Sequence, residues 1–169
     1  MARYEFRMQR LFVSEPLASA AHIMLGREPS HYLAHVLRLA AGAPLLVFNG
    51  RDGEWQARIA EVGKKGVSLH LESQTRAQTQ AGRLTYAFAP LKHARLDYMV
   101  QKAVEMGADM LWPVATQHTQ ATRLNLERMR ANAIEAAEQC GILAIPAVRD
   151  ETRFAAFLAA RAADDTLIF

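Results

Sequence analysis

Apolar positions change their period along this chain, and the changes divide it. In "SHYLAHVLRL", Leu33, Val36 and Leu37 recur at i, i+3 and i+4 behind Ser30, predicting one short amphipathic helix with a serine N-cap. "PLLVFNGRDGEWQARIAEV" then gives an apolar run, a turn rich in Asn49, Gly50, Asp52 and Gly53, and an alternating run through Trp55, Ala57 and Ile59. That is a hairpin signal. "KKGVSLHLES" adds a third strand with Val67, Leu69 and Leu71 on one face. "QTRAQTQAGR", residues 74–83, has only isolated alanines among polar residues and is expected to be a linker, separating a domain at 1–73 from one at 84–169.

After residue 83 the pattern alternates. The strand "LTYAFAP" is followed by a helix over 94–106, the strand "MLWPV", a helix over 125–140, the strand "LAIPAV", a helix over 151–163 and a last strand beginning "TLIF". Alternation of this kind predicts βαβ units and a parallel sheet covered by helices, so the fold class is α/β. On the first helix Leu96, Met99, Val100, Ala103, Val104 and Met106 share one arc, opposite Arg95, Asp97, Gln101, Lys102 and Glu105, and Gly107 ends it. On the second, Leu126, Met129, Ala133, Ala136, Ala137 and Cys140 share a face between an Asn125 cap and a Gly141 stop.

Composition changes this picture little. A hydrophobic content of 51% over 169 residues is enough for a packed core, and a net charge of +3 describes many proteins. Its distribution says more: residues 1–83 hold 11 Lys/Arg against 7 Asp/Glu, and residues 84–169 hold 9 against 10. The basic surplus is N-terminal, as expected where that part meets a polyanion. Cys140 is the single cysteine, so no intrachain disulfide forms; with no leader or apolar span visible, a cytoplasmic protein without a membrane anchor is expected.

Candidate chemistry is sparse. His31 and His35, at i and i+4, could present two imidazoles to a metal, but no cluster supplies the remaining ligands and no metal site is expected. Cys140 lies on an apolar helical face, as an inert thiol would. "NGRDG" lacks the strand-to-helix setting of a phosphate loop. Arg7, Arg10, Arg38, Arg51 and Arg58, interleaved with Tyr4, Tyr32 and Trp55, suit RNA phosphates and unstacked bases. Lys92 and Arg95 fall where a strand ends and a helix begins, the edge at which α/β sheets collect ligands.

Four segments go further: "RMQRLFV", "HYLAHVLRLAAGAPLLVFNGRDGEWQARI", "K-x-x-R-L-D-x-M-V-Q-K-A-V-E-M-G" and "EAAEQCG-x-L-x-I-P". In order and spacing the chain resembles the bacterial RsmE family, 16S ribosomal RNA (uracil-N3-)methyltransferases of the SPOUT superfamily. The resemblance implies a PUA-like small β-barrel that grips RNA, followed by a SPOUT-type α/β domain closed by a trefoil knot that binds S-adenosylmethionine. It also implies a homodimer acting on 16S rRNA in the small ribosomal subunit. Arg7, Arg10, Arg38, Arg51, Lys102 and His118 are the RNA-binding residues it implies. Lys92 and Arg95 would stabilise the uracil anion, and Glu105 or Glu138 would accept the N3 proton. Gln101, Glu135 and Gln139 match the same two motifs.

Two departures from the family pattern stand out. "TQHTQ" at 116–120 replaces an arginine-containing "S-E-R-S", so His118 stands in for that arginine and implies a weaker, pH-dependent phosphate contact. The sequence closes at Phe169, before the family's Gly-rich knot loop, and is expected to lack most of the S-adenosylmethionine site, to be a truncated form and to be inactive alone. The alternative is a non-catalytic RNA-binding module; a third reading is an enzyme acting on a small anionic metabolite.

Overall fold

The computed structural model describes residues 8–80, 82–119, 124–160, 165 and 166. Backbone packing divides the chain into Met1–Gln80 and Ala81–Phe169. The first unit holds β1 (Arg10–Phe12), β2 (His22–Met24), α1 (Arg27–His31) continued by a π-helical turn (Tyr32–Val36), β3 (Pro44–Phe48), β4 (Glu54–Gly63) and β5 (Gly66–Arg76). The strands form one sheet in the order β1-β3-β4-β5-β2, with β1 parallel to β3 and the other pairs antiparallel. Register shifts at Glu54/Trp55, Gln56/Ala57 and Ile59/Glu61 bend the β4–β5 ribbon, since an extra residue on one strand increases the local twist. The sheet curls around Leu11, Ile23, Leu33, Val47, Ile59, Leu69 and Leu71, the PUA-like arrangement the resemblance implied.

Two local expectations change. Ser30 is not an N-cap: α1 begins after Gly26, with Pro29 in its first turn where a missing N–H costs nothing. The Ser30 hydroxyl is buried, donates to the Leu25 carbonyl at 3.1 Å and accepts from Val67 N–H at 2.9 Å, tying the exit of β2 to β5. Residues 74–76, expected in the linker, are the last of β5.

The 49–53 turn is built as its residues predict. Asn49 Oδ1 accepts from the amides of Arg51 and Asp52 at 3.0 and 2.9 Å, and Asn49 Nδ2 donates to Asp52 Oδ2 at 2.6 Å. Asp52 Oδ2 also accepts from Leu17 N–H at 2.9 Å, which pins the 14–17 segment to the hairpin. The Leu17 amide, and then Asn49, hold the Asp52 carboxyl below its ordinary value.

One ion pair is interior. Arg10 Nε donates to Glu54 Oε2 at 2.7 Å, with side chains only 3% and 2% exposed. The guanidinium carbon stands 4.4 Å from the centre of the Phe48 ring, and Thr75 Oγ1 donates to Glu54 Oε1 at 3.0 Å.

The second unit holds β6 (Thr85–Phe88), α2 (His93–Glu105), β7 (Met110–Ala115), α3 (Leu126–Cys140), β8 (Ala147–Val148), β9 (Thr152–Arg153) and α4 (Phe154–Ala160). Parallel β6-β7-β8 form the sheet, with β9 pairing the end of β7. Pairing of β7 with β6 stops at Phe88↔Pro113, where proline has no N–H to extend the ladder. The predicted inner faces are inside: Leu96, Val100 and Val104 on α2, and Met129, Ala133, Ala136 and Ala137 on α3. Asn125 caps α3 through Arg128 N–H, and Gly141 ends it in the left-handed conformation.

Three details differ from the periodicity. Met106 is 81% exposed because α2 has ended: Gly107 N–H reaches the Val104 carbonyl and Ala108 N–H the Ala103 carbonyl, a Schellman stop. The expected strand "LAIPAV" is reduced to Ala147–Val148, and the predicted 151–163 helix is preceded by β9. The strand expected at "TLIF" falls outside the described residues beyond Thr166.

Two outcomes test this packing. Glu54→Leu takes the carboxylate away from the interior Arg10 guanidinium and is expected to cost about 3–5 kcal/mol of stability, whereas Arg10→Met with Glu54→Leu recovers most of it; denaturant midpoints decide. Asp52 has its carboxyl pKa depressed in the folded state, so its contribution is complete above the unfolded value and is lost as pH falls through the folded one. The melting-temperature gap between parent and Asp52→Ala is therefore expected to be constant from neutral pH down to about 5 and to close in stronger acid.

Candidate functional site

Each βα crossover in the second unit reverses direction, so the helices begin at the carboxyl edge of the parallel strands and end at the amino edge. Lys92 is the N-cap of α2, in extended backbone, and Arg95 lies in its first turn; both side chains are exposed. After β7 the chain turns through Thr116–Thr119, where Thr119 Oγ1 accepts from Thr116 N–H at 2.8 Å, and exposed His118 is carried on that turn. Sequence reasoning missed Arg153: β9 aligns it with Ala115 at the end of β7, so it joins the same edge, exposed. A two-residue strand leaves no periodic trace that would have marked it.

Behind this edge α2 and α3 are joined by a constellation the sequence did not reveal. Asp97 accepts from Arg128 Nε at 3.2 Å and Nη2 at 2.5 Å, while Asn132 Nδ2 donates to the Asp97 carbonyl at 2.8 Å. The fork fixes the start of α3 against the first turns of α2, where Lys92 and Arg95 are presented. Arg149, on the loop after β8, sets its guanidinium carbon over the Trp112 ring, 4.2 Å from the centroid.

The other expected residues are elsewhere. Glu105 closes α2, and thirteen helical steps at 1.5 Å each separate it from Lys92 by about 20 Å. Lys102 Nζ donates to Glu105 Oε2 at 2.6 Å, Gln101 Nε2 donates to Glu105 Oε1 at 2.9 Å, and the lysine also lies 5.5 Å from the Tyr98 ring centre. The Lys102 hydrogen bond lowers the Glu105 pKa, and the same contact raises that of Lys102. A carboxylate so held is a weaker base than an ordinary glutamate and stands at the wrong edge to share a substrate atom with Lys92. Glu138, half-buried near the end of α3, is at that amino edge too and is engaged within the protein. Within one chain, then, Lys92 and Arg95 lie at the carboxyl edge with His118 and Arg153, and Glu105 and Glu138 lie at the amino edge.

In the first unit Arg10 is interior and bonded to Glu54, which removes it from the RNA-contacting set. Arg38 is exposed in the left-handed conformation, φ 55°, just past the π-helical turn. Arg51 is exposed with Nη2 donating to the Ser14 carbonyl at 3.1 Å, and Arg58 pairs with Glu72 at 2.6 Å. Trp55 is half-buried, its indole N–H donating to the Asp52 carbonyl at 2.8 Å. Arg7 and Tyr4 lie outside the described residues.

A PUA-like sheet and a parallel α/β unit with Lys92, Arg95 and Arg153 at its carboxyl edge form a scaffold suited to RNA. Family models agree along the chain: an RNA methyltransferase PUA domain matches residues 25–72 and an RNA methyltransferase domain matches residues 78–169. The chain belongs to the family of RNA methyltransferases that the domain model over 78–169 describes. Ribosomal RNA small subunit methyltransferase E of Rickettsia conorii is 32% identical over 143 residues, covering 84% of this chain and 59% of that protein. The protein of the same name from Synechocystis is 29% identical, covering 94% and 52%. Among solved structures, a methyltransferase from Legionella pneumophila in complex with S-adenosylmethionine is 26% identical with a TM-score of 0.83, covering 92% of this chain and 67% of that one. The Neisseria gonorrhoeae small subunit methyltransferase E, bound to S-adenosylmethionine, shares the fold at 21% identity and a TM-score of 0.84. The chain thus spans between half and three-fifths of the curated relatives' length. No described helix is long and apolar enough to cross a membrane.

An NMR titration of the Glu105 carboxyl is expected to find it below the ordinary glutamate value and to rise toward that value in Lys102→Met. An ordinary value in the parent protein would mean that the pair does not form in solution.

Proposed function

We propose that this protein takes part in methylating ribosomal RNA, with S-adenosylmethionine as methyl donor, N3 of a uridine in 16S rRNA of the small subunit as acceptor, and a homodimer as the acting form. The observation that carries this reading is the collection of Lys92, Arg95, His118 and Arg153 at the carboxyl edge of a parallel sheet, in a chain that also bears a PUA-type unit. Uracil N3 carries a weakly acidic imide proton, and its nucleophile is the anion left when that proton departs. Fixed cations beside the ring stabilise that charge as it develops. Lys92 and Arg95, presented by a helix start braced through Asp97 and Arg128, have the exposure and placement for this.

S-adenosylmethionine supplies an electrophilic methyl group when bound. The basic side chains Lys92, Arg95 and Arg153 at this edge suit RNA phosphate and the uracil anion better than a sulfonium, so no step is assigned to the donor through them. The names and ligands of the relatives support the donor and the RNA class; the N3 position and the dimer rest on the motifs at 92–107 and 135–146. Exposed Tyr98 and Met106 on and just beyond α2 give two copies apolar surface to bury.

The test uses the protein isolated from its own cells alongside the 169-residue chain. Each is incubated with methyl-labelled S-adenosylmethionine and unmodified small subunits, and the product is mapped by mass spectrometry. Label is expected at N3 of one uridine in the isolated protein's reaction. Lys92→Ala and Arg95→Ala are expected to lower its rate by about 10–100-fold, and Glu105→Gln to change it by no more than about twofold. Undiminished methylation in both cation variants removes the carboxyl edge from the reaction.

A further inference from the structure

His31 and His35 are left unexplained by the carboxyl edge. Among the described residues no group of three His, Cys, Asp or Glu side chains could hold a metal ion. The two rings instead lie 5.0 Å apart, tilted by 38°, along an open groove of about 770 Å³ contained within the first unit. One wall is α1 with its π-helical turn, contributing Arg27, His31 and His35; the other is the tip of the β4–β5 hairpin, contributing Lys64 and Lys65. Among the described lining residues Glu28 is the single carboxylate, set against the three cations Arg27, Lys64 and Lys65 before either histidine is counted.

The two walls are held at a set spacing. Ser30, on α1, bonds both to Leu25 and to the Val67 amide one residue beyond the hairpin tip. Gly66 closes the tip at φ 125°, and a Cβ there would stand 2.8 Å from Ser30 Oγ and 3.2 Å from the Leu25 carbonyl. The absence of a side chain lets strand and helix approach this closely. The cations are therefore carried on rigid elements, while their long side chains stay in water.

We infer that this groove seats the phosphodiester backbone of an RNA strand, with Lys64 and Lys65 contacting phosphates from one wall and Arg27 from the other. An open trough with cations on both rims suits a chain of regularly spaced charges; a small anion would be enclosed and gripped by interior donors, as compact ligand sites are. The imidazoles of His31 and His35 add hydrogen-bond donors and flat faces along the same wall. The inference rests on the RNA reading above and assigns it a surface in the first unit whose cations, Arg27, Lys64 and Lys65, lie outside the family motifs, although His31 and His35 lie within one.

The experiment measures binding of a fluorescein-labelled single-stranded RNA of ~20 nucleotides by anisotropy, at salt from about 50 to 200 mM. The 169-residue chain is compared with its Arg27→Ala/Lys64→Ala/Lys65→Ala and Glu28→Gln variants. Loss of three phosphate contacts is expected to make the log–log salt slope shallower by about 2 and to weaken binding by roughly tenfold or more. Glu28→Gln is expected to tighten binding about twofold, a gain that misfolding does not mimic. All substituted side chains are exposed, so melting temperatures should match the parent's. A parent that binds no RNA at the lowest salt overturns the RNA reading and this inference together. A parent that binds RNA, with an unchanged slope in the triple variant, overturns the groove alone. Displacement of the RNA by polyglutamate of equal length at equal concentration also overturns it, because the groove would then serve an acidic protein segment.

Discussion

The first unit is organised around one desolvated ion pair. Arg10 comes from β1, Glu54 from the start of β4, Phe48 from the end of β3 and Thr75 from the end of β5, and all four meet at a single buried ion pair. Such a pair adds little net stability, because desolvating both ions offsets their attraction, but separating them is severe. Any slip in the pairing of these strands would strand a carboxylate or a guanidinium in the interior. The pair thus fixes which residues face each other at one end of the sheet, and the bulged β4–β5 ribbon that carries the groove extends from that fixed end.

The second unit depends on a different constraint, the direction in which helices run over a parallel sheet. Residues that are neighbours in one sequence motif become occupants of opposite edges. Lys92 and Glu105 belong to the same contiguous signature, yet the helix between them carries them about 20 Å apart. The carboxyl edge collects cations, and the amino edge holds a satisfied Lys102–Glu105 pair.

What was legible in the sequence follows from range. The buried faces of α2 and α3 repeat every three or four residues, so Leu96, Val100, Val104, Met129 and Ala133 could be read directly, as could the Asn125 cap and the Gly141 stop. The 49–53 turn was equally local. Partnerships across long separations left no such trace: Arg10 with Glu54 over 44 positions, Arg128 with Asp97 over 31, and Ser30 with Val67 over 37. Arg10, Asp97 and Ser30 looked like a generic charge, a surface residue and a cap until their partners were known. Arg10 in particular read as a hand for RNA because an arginine in a basic stretch carries no mark of burial.

Gly53 sits in the part of the chain that would look most tolerant of change, a polar hairpin turn with two glycines and an asparagine. Its φ is +79°, and a Cβ there would come within 2.3 Å of the Arg76 carbonyl and 2.8 Å of Gln74 Nε2. The turn is therefore packed from behind by the far end of β5, and its apparent looseness is a property of its composition alone. For anyone wishing to graft an epitope, insert a reporter or diversify a loop, this hairpin is the wrong place: its residues are chosen for their smallness and their donors, and the sheet beneath it has no room to yield.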